Sequence, residues 1–308
     1  MSSQIIYRLN ELTFSLKWDW AKFPGMISPA SVAGVAPAKD GRIFALTRNH
    51  EYPIVEFDQD GNFAGSYGRE LDFKSEHGIF ITEDDRMWVC DSGRHVVYQL
   101  TLKGEVISML GTLDKPCDNG FKKESPFPHN LFTIQRAGEP FNLPTGAVEA
   151  NNGDVFCSDG YGNTSIHHFS KEGKLIKTWG GPGDEPGKFR LPHSIWIDPK
   201  QNIWVADREN FRVQVFTWEG ALIKCFDSIY PKGSAFGQSC VWGNGEYIFV
   251  GQNSIGICIY SLDYEFIGII EAPIHSPILG HSLCVDKEGN IFIGHLNEPY
   301  AISKLTRE

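Results

Sequence analysis

No part of these 308 residues is apolar for long enough to cross a bilayer as a helix, which takes about 18 or more consecutive apolar residues. The N-terminus, MSSQIIYRLNEL, lacks a basic start followed by an apolar segment, so no secretory leader is expected. Cys-x-x-Cys pairs are missing. The seven cysteines (90, 117, 157, 225, 240, 258 and 284) are an odd number and fall mostly inside strand-like segments. That usage points to buried thiols in a reducing, cytoplasmic setting and away from a disulfide framework. Positive charge is scarce: 28 Lys and Arg against 38 Asp and Glu leave a formal net charge of −10. An acidic chain is a poor partner for nucleic acid or for an anionic membrane surface. No window carries the i, i+3, i+4 apolar spacing of a helix, and no glycine-rich turn opens one to hold a dinucleotide.

Glycine (32 residues) and aromatic side chains (13%) are plentiful, the composition of many turns and many packed strands. The most regular stretch is FRLPHSIWIDPKQNIWVADRENFRVQVF, residues 189–216. It alternates polar and apolar positions, turns at Lys200-Gln201-Asn202, runs apolar again, and breaks at Asp207-Arg208-Glu209-Asn210 before a third strand. With the strand that follows Glu219-Gly220, this unit is one propeller blade. Its first turn recurs at Asp40, Asp84, Asn152, Lys200, Asn244 and Glu288, at spacings of 44, 68, 48, 44 and 44 residues. The strand after each turn reads RIFALT, RMWVCD, DVFCSD, NIWVAD, YIFVGQ and NIFIGH. Six anchors predict an all-β, six-bladed β-propeller filling residues 1–308 as one domain. The last unit is one strand short, and the segment from Thr13 to Trp18 is placed to close the ring. The 68-residue gap holds an insertion of about 24 residues, at 112–140, rich in proline and suited to a lid between blades two and three.

The innermost strand of each blade lines the central channel. Seven residues before each anchor stand Ala33, His77, Thr145, His193, Gly237 and His281. Histidine therefore occupies alternate blades, and three imidazoles at one height on a three-fold axis form a metal site with open positions. A single such histidine is more often a satisfied core residue; three in one register favour the metal. Eight residues after the anchors, Arg48 and Arg208 lie on facing blades, suited either to clamping a carboxylate or to ordinary surface pairing. Tyr161, between Gly160 and Gly162, is either an aromatic plug or a general base whose phenolate the arginines would stabilise. Asp91, Asp159 and Asp207, at matching strand ends, are read as acceptors for turn amides.

The segments CSDGYGNTSIHHF, PHSIWID and WVADREN together resemble the NHL-repeat propeller of peptidyl-α-hydroxyglycine α-amidating lyases, most closely over residues 140–216. The resemblance implies zinc on His77, His193 and His281, a catalytic Tyr161, and active-site arginines at Arg48 and Arg208. It also implies a structural calcium held by the main-chain carbonyls of Val35 and Ile79 and by an aspartate whose position here is Ser282. A cysteine that follows the tyrosine in the family is Gly162 in this chain. The implied reaction cleaves the N–C bond of an N-acyl-α-hydroxyglycine, a small substrate with a carboxylate, into an amide and glyoxylate. Two other readings stand beside it: a metal-dependent hydrolase or lactonase on the same propeller, and a non-catalytic NHL scaffold that binds a protein on its loop face.

Overall fold

The computed structural model describes residues 5–25, 27, 31–229, 237–252, 255–272, 281–296 and 300–308. Six antiparallel sheets form the ring, and the first five follow one another along the chain as four-stranded meanders. Blades one to five occupy residues 34–67, 76–111, 144–180, 192–227 and 238–271. Blade six takes its three inner strands from Ser282–Val285, Ile291–Gly294 and Ile302–Arg307. Its outer strand is the N-terminal Leu12–Lys17, which pairs antiparallel with Ile302–Arg307 through Phe14–Arg307 to Lys17–Lys304. The ring closes as the short last repeat requires. A fifth strand, Ile5–Leu9, lies outside it and was not foreseen. Among the described residues no helix is long and apolar enough to cross a membrane.

Second strands such as Ile203–Asp207 are buried at every position, whereas outer strands such as Leu175–Gly180 have no fully buried position. The apolar core is accordingly a set of clusters between neighbouring sheets. Trp204, fully buried, fills the gap between blades four and five with Val213, Val250 and Cys258. Burying one such side chain contributes roughly 1.5–3 kcal/mol. None of the seven cysteines forms a disulfide, and five of them are buried.

The strand-end aspartates act as the sequence suggests. Asp207 accepts from the amides of Arg190 and Leu191, Asp91 from those of Lys74 and Ser75, and Asp159 from that of Asn142. Each thereby fixes the loop that feeds its own blade's innermost strand, and so the height at which that strand begins.

The structure corrects one alignment. In blade four Ser194 pairs with Ala206 and Pro192 with Asp207; in blade five Cys240 pairs with Gly251 and Gln238 with Gln252. The residue equivalent to His193 is thus Ser239, not Gly237. Asn244 opens its turn, accepting from the amides of Glu246 and Tyr247, whereas Lys200 sits in the middle of a longer one.

Candidate metal centre and its surround

His193 falls between Pro192 and Ser194 at a register shift in the innermost strand, and His77 lies within the shift between Glu76 and Ile79. Thr145 and Ser239 occupy the same kind of irregularity in the intervening blades. An inserted residue of this kind bends the strand and re-aims its side chain. It also turns a carbonyl out of the ladder, and the histidines use those carbonyls. His77 Nδ1 donates to Thr145 O at 2.7 Å, His193 Nδ1 to Ser239 O at 2.5 Å, and His281 Nδ1 to Ala33 O at 3.0 Å. Each histidine is thus braced by the next blade. A carbonyl can only accept, so all three rings carry their proton on Nδ1 and present the Nε2 lone pair to the axis.

The three rings stand edge to face, their centroids 4.6, 5.0 and 5.1 Å apart. One ligand atom from each lies within 4.8 Å of the others, so the trio can hold a metal ion. All three are buried. His77 Nε2 and His281 Nε2 have no hydrogen-bond partner, and an orphaned buried lone pair is costly unless a ligand takes it. Burial, with the charge of Arg48 and Arg208, lowers His77 from its ordinary 6.5 to about 3. Burial likewise holds His193 and His281 well below their ordinary range, with Arg208 and the neighbouring imidazoles adding to it. Three neutral imidazoles converging on one point are the donor set of a divalent transition metal.

Gly78, beside His77, lets blade three come close. A Cβ there would lie 2.5 Å from Thr145 O and 2.8 Å from Gly146 Cα, both backbone. The channel continues past the histidines between Val35, Ile79, Ser194 and Ser282, and among the described residues no carboxylate lines it. Calcium requires six to eight oxygen ligands, usually including carboxylates. Ser282 offers one neutral hydroxyl, buried and without a partner, so these residues do not fit the calcium expected at Val35 and Ile79.

Tyr161 sits above the trio. Its hydroxyl donates to His193 Nε2 at 2.9 Å and accepts from Arg208 Nη1 at 3.1 Å. The flanking glycines are needed for close approach: a Cβ at Gly160 would strike Pro192 O, and one at Gly162 would lie 2.5 Å from Asn142 Oδ1. The cysteine position of the family is thereby filled by neighbouring backbone and side chain. Arg208 is buried, with Nε paired to Glu209 at 3.0 Å and its backbone amide bonded to Leu191 O. Arg48 differs. It holds a left-handed backbone (φ 52°), is exposed, and makes no hydrogen bond or ion pair among the described residues. Its charge is nonetheless felt at His77 and His281. The two arginines share a register but not a role: one is tied to the tyrosine, the other has no side-chain partner among the described residues.

Three features of the surround carry no signal in the sequence. The insertion at 112–140 is built into the fold: Asn119 Nδ2 donates to Gly162 O, while Asn163 binds both the amide and the carbonyl of Gly138. Leu131 and Ile134 from it bury against Leu191 and Tyr161. It also brings Phe127 over Arg208, ring centre 5.4 Å from the guanidinium carbon, next to a Tyr161 ring at the same distance. An insertion without periodicity gave no signal for any of these contacts.

The NHL-repeat profile matches residues 189–216. Human NHL repeat-containing protein 3 is 27% identical over a segment covering 80% of this chain and 69% of its own length. A Caenorhabditis elegans protein named as a probable peptidyl-alpha-hydroxyglycine alpha-amidating lyase is 33% identical, over 91% of this chain and 85% of its own. A solved streptogramin B lyase, 15% identical, superposes with a TM-score of 0.65 over 98% of this chain and 100% of that one, a likeness of fold. With a relative at that identity over most of both chains, this protein belongs to the peptidyl-α-hydroxyglycine α-amidating lyase family of NHL-repeat six-bladed propellers.

Proposed function

We propose that this protein is a metal-dependent carbon–nitrogen lyase that converts an N-acyl-α-hydroxyglycine into the corresponding amide and glyoxylate. The observation that carries the reading is the Tyr161 hydroxyl, held between His193 Nε2 and Arg208 Nη1 directly above three convergent imidazoles. Bound to the Nε2 atoms of His77, His193 and His281, a divalent transition metal, zinc by its nitrogen donor set, would supply a Lewis acid toward the substrate hydroxyl or carboxylate.

The remaining work falls to protein side chains. Tyr161 gives up its acceptor once His193 Nε2 is engaged, and its oxygen then faces the substrate. There, as phenolate with its own proton already released to solvent, it takes the hydroxyl proton as the C–O bond becomes C=O and the C–N bond breaks. The departing nitrogen takes up one proton, so the sum is amide plus glyoxylate with no water consumed. Arg208 stabilises charge on the phenol oxygen through its 3.1 Å bond. Arg48, exposed and without a partner among the described residues, receives the substrate carboxylate. No redox cofactor enters.

The test is a product assay. Zinc-reconstituted protein given α-hydroxyhippurate should release benzamide and glyoxylate in equal amounts. Hydrolysis of a lactone panel with no glyoxylate formed would replace this reading by a metal-dependent hydrolase.

A further inference from the structure

Phe127 has a third face. Its ring covers Arg208 at 5.4 Å and lies tilted against Tyr161 with ring centroids 6.4 Å apart, and the residue remains 43% exposed. A phenylalanine on a functional rim gains nothing from that exposure. Nearby Phe132, 64% exposed, stacks on Arg190 at 4.3 Å and extends the same rim.

The placement of the other groups decides what this open face can meet. A substrate with its hydroxyl at Tyr161 and its carboxylate toward Arg48 on blade one must send its nitrogen substituent away from blade one. That direction is toward blades three and four, where Phe127 overhangs both Tyr161 and Arg208. The acyl group begins one bond beyond the nitrogen, within reach of a ring 6.4 Å from the tyrosine's. Flat apolar groups pair with an aromatic face, and the guanidiniums of Arg190 and Arg208 disfavour a cationic substituent there.

We infer that Phe127 is the specificity-determining residue for the acyl group, and that the substrates are α-hydroxyglycines whose acyl part is aromatic or bulky and apolar, not small or basic. This rests on the lyase reading given above.

The experiment compares kcat/KM for N-benzoyl- and N-acetyl-α-hydroxyglycine in wild type, Phe127→Ala, Phe127→Leu and Phe132→Ala, with metal content and Tm measured for each. Wild type should favour the benzoyl substrate about ten- to hundredfold. Phe127→Ala should cut that ratio about five- to tenfold, and Phe127→Leu, which keeps an apolar surface, should recover part of it. Phe132→Ala should leave the ratio within about twofold. An equal loss on both substrates in Phe127→Ala would overturn the inference and make Phe127 a support for Arg208. So would a ratio that falls as far in Phe132→Ala, which would assign selectivity to the placement of the loop. Binding of benzamide and acetamide to the metal-loaded protein, followed by calorimetry, separates this inference from the reaction itself. Benzamide preference that disappears in Phe127→Ala supports the platform even if no glyoxylate forms. Equal binding of the two amides by wild type overturns it even if glyoxylate does form.

Discussion

Replacing Arg48 by methionine should abolish the distinction between a substrate carboxylate and its neutral amide, and replacing Arg208 should not. The difference comes from their surroundings. Arg208 spends Nε on Glu209 and Nη1 on Tyr161, inside a buried site. Arg48 is exposed and makes no hydrogen bond or ion pair among the described residues, so its whole guanidinium fork is available. A charge-assisted contact is worth about 1.5–3 kcal/mol; solvent screening at an exposed arginine puts this one at the lower end. At 1.4 kcal/mol per tenfold, wild type should therefore bind the acid about ten- to thirtyfold better than the amide. In Arg48→Met the factor should fall to about one to three, because the partner of the lost charge is already gone. Arg208→Met should slow turnover yet keep most of the discrimination. KM and kcat for both substrate forms in the three proteins give a double cycle that isolates the Arg48–carboxylate coupling. An acid-to-amide factor of the same size in all three would mean that Arg48 does not hold the carboxylate.

Two further outcomes follow from the same geometry. Tyr161→Phe should lower turnover about 10²–10⁴-fold with metal content unchanged, since the ring still packs on Leu131, Ile134 and Leu191; glyoxylate assay and metal analysis check this, and near-wild-type turnover would make Tyr161 a packing residue. His295, buried beside Ser303 and lowered by burial from 6.5 to about 4, should make stability depend on pH. Above pH 6.5 both folded and unfolded forms are neutral there. As pH falls toward 4 only the unfolded chain binds the proton, so about 3 kcal/mol of stability is lost across that window. Urea titrations at pH 7 and pH 4.5 should show a smaller difference for His295→Gln than for wild type, and identical differences would contradict the shift.

The blades were legible because a strand–turn–strand unit must bury the same positions each time it recurs, which is why RMWVCD and NIWVAD look alike. The histidine ring followed from that period alone. The slip in blade five did not, because Asn244 resembles a mid-turn residue in sequence while its side chain in fact caps the turn's start. The outermost strand, Ile5–Leu9, had no repeat to match, being a hairpin partner added beyond the closing strand. Contacts across blades were equally hidden: nothing local in SDGYGN indicates that Tyr161 reaches His193, 32 positions away. Register also concealed the unlike surroundings of Arg48 and Arg208, since equal spacing from a turn fixes height in the ring and not burial.

Elemental analysis coupled to activity will show whether His77, His193 and His281 hold a metal on which turnover depends. Purified protein should carry about one divalent transition-metal ion per chain, lose it together with glyoxylate release in His193→Ala, and keep the propeller's thermal transition. Protein isolated without metal, and still inert toward α-hydroxyhippurate after zinc is restored, would contradict the account.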